Sequence, residues 1–198
     1  MMKTIKLSIF TLLVSVFVAC GSKSEEQNTE GESSYVALEK LDVKTLDEEI
    51  QKRSKAVEND ETGDKRLAAE LLKAYVAYSE NFPNYEKAAE YTFRAGEIAM
   101  NLNHTAQSLK LFEVVYEDYP KYEKRPYALF MRAFVLENQA GNFDEAKRFY
   151  EEFIAEYPNH PMADDAAYSL KNMGKSPEEL IREFEIQDSI NAAASKAV

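Results

Sequence analysis

FDEAKRFYEEFIAEYP, residues 143–158, sets Ala146, Phe149, Tyr150, Phe153, Ile154 and Tyr157 at offsets 0, 3, 4, 7, 8 and 11. That spacing returns to one side of a 3.6-residue helix, so it predicts an amphipathic α-helix rather than a strand. Lys147, Arg148, Glu151, Glu152 and Glu156 fall on the opposite, solvated side. Pro158 ends the helix: it lacks an N–H and excludes Tyr157 from the α region.

The same punctuation recurs. ENFP, YEDYP and IAEYP place Pro83, Pro120 and Pro158 at intervals of 37 and 38 residues. Aromatic columns accompany the prolines. Phe82, Tyr119 and Tyr157 precede them, Tyr75, Phe112 and Tyr150 lie eight residues before, and Phe93, Phe130 and Tyr168 lie ten after. With aromatics at 12% of the chain, three columns each filled three times establish an internal repeat. Each unit reads as two helices. Earlier copies of the first pattern carry Leu67, Leu71, Ala74, Tyr75, Tyr78 and Phe82, then Leu109, Phe112, Val115, Tyr116 and Tyr119. A second helical pattern follows each proline, as over Tyr127 to Gln139, where Gly141 and Asn142 suit a left-handed C-cap. Ser176-Pro177-Glu178-Glu179 is a capping box opening a last helix to about Gln187, and Thr45-Leu46-Asp47-Glu48 opens a short first one.

The pattern resembles the tetratricopeptide repeat. Over residues 127–160, Gly141, Phe143, Ala146, Tyr150, Phe153 and Pro158 match that family's small, aromatic and proline positions. The copy at 89–122 keeps Ala95, Gly96, Phe112 and Pro120, with Ser108 in place of Ala146, while Phe134 stands at a site where the family places a small residue. The resemblance implies an all-α fold: helical hairpins stacked as a short right-handed superhelix, closed by capping helices. It also implies a peptide groove on the concave side, which Phe93, Glu97 and Met100 of one copy and Met131, Val135 and Asn138 of the next are expected to line. The basic and asparagine residues that clamp a C-terminal carboxylate in chaperone-binding members are missing, so that ligand is not expected.

At the other end of the chain, MMKTIK precedes LSIFTLLVSVFVA, an apolar run of 13 residues. Such a run reaches ~20 Å as a helix, short of the ~30 Å hydrocarbon core, and reads as an export signal rather than a membrane span. Phe17-Val18-Ala19-Cys20-Gly21 resembles the lipobox of bacterial lipoproteins, which implies acylation of Cys20, the one cysteine in the chain. The expected organisation is therefore a lipoprotein signal over 1–19 and an acidic flexible tether over 20–44. An α-helical repeat domain over 45–187 and a disordered tail over 188–198 follow.

At 198 residues and net charge −11, the chain suits one ordinary domain and lacks the clustered Lys and Arg that nucleic acid requires. No Gly-rich phosphate loop, G-x-S-x-G or H-E-x-x-H is present, and neither His104 nor His160 has a partner at metal-ligand spacing. The expectation is a non-enzyme without cofactor or metal. The segment from Phe153 to Tyr168, F-I-x-E-Y-P-x-H-P followed by an aspartate and an aromatic, is similar to two groups of repeat proteins. These are the repeat lipoproteins of the β-barrel assembly machine and the repeat domains of Tol-Pal coordinator proteins. That likeness implies a protein-binding adaptor of the bacterial envelope, anchored through Cys20 to the outer membrane, facing the periplasm and binding envelope proteins; the acidic run SKSEE after Cys20 resembles surface-export signals of some lipoproteins and leaves surface exposure as the alternative. Glycan receptors built on such repeats supply the alternative, a nutrient-binding lipoprotein, although the absence of Trp removes the best sugar-stacking surface.

Overall fold

The computed structural model describes residues 37–195. The signal segment, Cys20 and most of the expected tether lie outside the described residues. Eight helices follow in chain order among the described residues. They are α1 (Val43–Glu58), α2 (Lys65–Asn81), α3 (Ala88–Asn101), α4 (Thr105–Asp118), α5 (Arg125–Val135), α6 (Phe143–Glu156), α7 (Ala163–Asn172) and α8 (Pro177–Ser195). Each helix from α1 to α7 packs chiefly on its neighbours in sequence, which is the signature of stacked hairpins.

The repeated prolines act as read from the sequence. Phe82, Tyr119 and Tyr157 are the C-caps of α2, α4 and α6, with φ of −131°, −119° and −129°, outside the helical region as a following proline demands. The core runs in two overlapping halves. Leu46, Ile50, Leu72, Tyr75, Tyr78 and Tyr91 fill the first; Phe112, Leu129, Phe130, Tyr150 and Phe153 fill the second. Helices α3 and α4 contribute to both, so the core is continuous along the stack. Within it, Phe93 meets Phe112 edge to face at 5.5 Å, and Phe130 meets Tyr150 and Phe153 at 5.4 and 5.6 Å. These geometries suit the ring quadrupoles.

Close approach of α3 and α4 depends on two small residues. A Cβ on Gly96 would lie 2.8 Å from the Phe112 ring, and Ser108 donates its hydroxyl to the Gly96 carbonyl at 3.0 Å. Ala146 is the equivalent of Ser108 in the next hairpin, equally buried. The end of α5 winds as a π turn, Leu136–Ala140, before Gly141 closes it with φ +63°. That turn lets Gln139 donate to the Met100 carbonyl at 2.8 Å, while Glu137 accepts from the Tyr150 hydroxyl at 2.9 Å.

Three features differ from the sequence reading. The body begins before residue 45: Leu38 is buried in the first half of the core, and α1 is capped by Asp42, which accepts from the Lys44 and Thr45 amides at 3.0 and 3.1 Å. Asp42 takes the cap because the helix already includes Thr45, whose hydroxyl donates to the Asp42 carboxylate at 2.6 Å. The expected tail over 188–198 is helical as far as Ser195, because Ile186-Gln187-Asp188-Ser189-Ile190 contains no helix breaker. Phe134 is not at the close-approach site. Ala133, fully buried, takes that position 37 residues after Gly96, and Phe134 points outward at 37% exposure.

Candidate binding face

The first helices of successive hairpins, α3 and α5, present matching registers counted from their N-caps, Lys87 and Lys124. Glu90, Arg94 and Glu97 follow one another at i, i+4 and i+7 along α3, and Tyr127, Met131 and Phe134 do the same along α5. The two rows are joined where the chain enters α5. Glu90 accepts from the Tyr122 hydroxyl and pairs with Lys124 at 3.4 Å and with Arg94 at 2.5 Å. Lys124 also lies over the Phe93 ring, 5.2 Å from its centroid.

Glu97 stands apart in this row. Burial pushes its carboxyl above the usual carboxylate range, and the charges of Lys124 and Arg94 only partly oppose that push. Neither cation forms an ion pair with it; both are held by Glu90. A half-buried anion whose nearby cations are already paired with Glu90 is one that a ligand's donors can relieve.

Of the six side chains expected to line a groove, two do not. Phe93 is 4% exposed and Val135 is fully buried, both in the core. They lie one residue off the open row, and a helix turns about 100° per residue. Met100 and Met131 are half-buried against the core, Glu97 is half-buried and Asn138 is exposed, its amide donating to the Phe134 carbonyl at 2.9 Å. The residue missed is Phe134. Its signal was its position 37 residues after Glu97, which aligns it with the open row once hairpins are registered by their caps.

Polar ties between hairpins follow one chemistry. The Tyr91 hydroxyl donates to Asp47, which also pairs with Lys87 at 2.7 Å; the Tyr116 hydroxyl donates to Glu156 and Glu152 at 2.9 and 3.1 Å. Burial, reinforced by these carboxylates, pushes the phenols of Tyr91, Tyr116 and Tyr122 far above their usual range. Aromatic richness therefore serves the core and also supplies neutral donors to an acidic chain.

Residues 127–160, α5 through the turn after α6, match the family model of the tetratricopeptide repeat. Over those residues the chain is similar to a tetratricopeptide repeat. The all-α stack on both sides of that segment agrees with it in kind, and tetratricopeptide repeats characteristically mediate contacts between proteins rather than catalysis. No match was found among the curated proteins. The two histidines of the repeat region sit at turns. His104 caps α4 without a side-chain bond, whereas His160 packs on Tyr127 at 4.7 Å and accepts the Met162 amide on Nδ1 at 3.2 Å. Among the described residues, no group of three or more His, Cys, Asp and Glu side chains converges as a metal ion would need, and no helix is long and apolar enough to cross a membrane.

Proposed function

We propose that this protein is a lipid-anchored adaptor of the bacterial cell envelope, which holds partner proteins on the face formed by the first helices of its tetratricopeptide-type hairpins. The observation that carries the binding role is Glu97: a carboxylate kept half-buried at a desolvation cost, in a row that the apolar Met131 and Phe134 continue by register on the next first helix. Residues that only stabilise a stack have no need of such a group, whereas a segment offering Lys, Arg or backbone N–H groups beside an apolar side chain would use it. The anchor and the placement rest on Cys20 within VFVACGS, after a short positive and apolar leader. Acylation there would hold the body at the outer membrane, facing the periplasm.

The test is recovery of cross-linked envelope proteins on the tagged chain, compared with Phe134→Ser and Glu97→Lys. Both variants are expected to lose the same partner while keeping the wild-type helical signal and unfolding temperature. Undiminished recovery by both would overturn the assignment of this face. As an independent mark of the strain, Glu97→Gln should raise the unfolding temperature slightly at neutral pH, because it removes the burial cost of the charge. A fall would refute the reading of Glu97.

A further inference from the structure

We infer that the last hairpin, α7–α8, is an incomplete repeat whose open cleft takes a cationic amphipathic helix of another protein. The second helices of the hairpins can be registered by their N-caps, His104, Asn142 and Ser176. Four residues on stand Ser108, Ala146 and Leu180; eight on stand Phe112, Tyr150 and Phe184; eleven on stand Val115, Phe153 and Gln187. Where the two hairpins before it place Ser or Ala and close tightly, the last has Leu. Where they place Val or Phe, it has Gln.

The consequence is visible in the aromatic columns. Phe112 and Tyr150 are fully buried, but Phe184 is 61% exposed; Phe93 and Phe130 are buried, but Tyr168 is 54% exposed. A cleft of about 350 Å³ separates the helices, with Tyr168, Leu180, Phe184 and Gln187 on its walls. The apolar surface continues past Leu180 and Tyr168 to Phe143, which is also exposed. Side chains that fill the core in every preceding hairpin are here left for a partner to cover.

Charge decides the occupant. Helix α8 carries Glu178, Glu179, Glu183, Glu185 and Asp188 against Arg182 alone, and α7 carries Asp164 and Asp165 against Lys171, which with Glu183 supplies the charge on the cleft wall itself. Lys175, at the mouth, is taken by Glu183 at 2.8 Å. A second copy would bring the same acidic rim to the contact, from a chain of net charge −11, and like charges disfavour that pairing. A helix with an apolar ridge at i, i+3, i+4 and i+7, flanked by Lys or Arg, complements both the cleft and its rim.

This inference rests on the protein-binding reading above but uses a different surface, so the two can fail separately. The probe is a fluorescent Leu/Lys amphipathic peptide of about 14 residues, near the length at which helices form, with a Leu/Glu peptide as control. Anisotropy is read against residues 20–198 carrying Cys20→Ser. The Leu/Lys peptide is expected to bind, and to lose at least about tenfold in affinity with Phe184→Ser or Tyr168→Ser, neutral changes at exposed sites. The Leu/Glu peptide should bind at least about tenfold more weakly. Binding indifferent to both Ser variants, or equal binding of the two peptides, overturns the proposal. So does loss with Glu97→Lys alone, which would place the peptide on the first-helix face and leave the adaptor reading standing. Dimerisation in sedimentation that Phe184→Ser abolishes would assign the cleft to a second copy and overturn the proposal equally.

Discussion

Replacing Gly96 with alanine sets two effects of known sign against each other. In an ordinary helix the change stabilises by ~0.5–1 kcal/mol, since glycine loses more backbone entropy on folding. Here the new Cβ would lie 2.8 Å from Cε1 and 3.0 Å from Cδ1 and Cζ of Phe112. Carbon–carbon contacts are comfortable at about 3.5–4.0 Å, so the ring must retreat by roughly 0.7 Å. It has nowhere to go: Phe112 is fully buried, and Phe93 braces it edge to face at 5.5 Å. Overpacking of this kind costs ~1–3 kcal/mol, which outweighs the helical gain. The net effect should be destabilisation by ~0.5–2 kcal/mol, a fall in midpoint of about 2–6 °C for a body of this size, followed by far-ultraviolet circular dichroism. Phe112→Leu in the same chain should relieve the clash, leaving the double variant about 1 kcal/mol more stable than the sum of the single effects. A Gly96→Ala protein more stable than wild type, or strict additivity with Phe112→Leu, would refute the contact as the reason for glycine.

Alkali should unfold the protein through its phenols. Tyr91, Tyr116, Tyr122 and Tyr150 have folded pKa values raised by burial and by hydrogen bonding to carboxylates, so their contribution is complete below the unfolded value of about 10. It falls as pH rises further, because the unfolded chain gives up protons that the folded one keeps. Ultraviolet titration of tyrosinate should show these groups ionising only with unfolding; a single reversible titration of every tyrosine near 10 would count against the inter-hairpin ties. Cys20→Ser should release the protein from the membrane fraction into the soluble one, and unchanged membrane retention would remove the lipid anchor from the proposal.

Much of the fold was legible because its signals are local. Helical periodicity, Pro83, Pro120 and Pro158, and the capping box at Ser176 act over a few residues, and all appear in the structure at the expected places. The proposed binding face was half legible. Glu97, Met131 and Asn138 are on or beside it, but Phe93 and Val135 point inward and Phe134 outward. One residue of register rotates a side chain by about 100°, and composition cannot tell which of two adjacent apolar residues faces the core. Likewise, Asp42 displaced Thr45 as the first cap through a competition between two equally suitable side chains.

By itself the sequence determined the helical repeat, where α2, α4 and α6 stop and most of the aromatic columns that build the core, since spacing along one chain encodes those directly. Only the tertiary structure decided which faces stay open. Whether Phe184 joins the core as Phe112 and Tyr150 do depends on how closely two helices approach, and this hairpin carries Leu180 where Ser108 and Ala146 stand in the two before it.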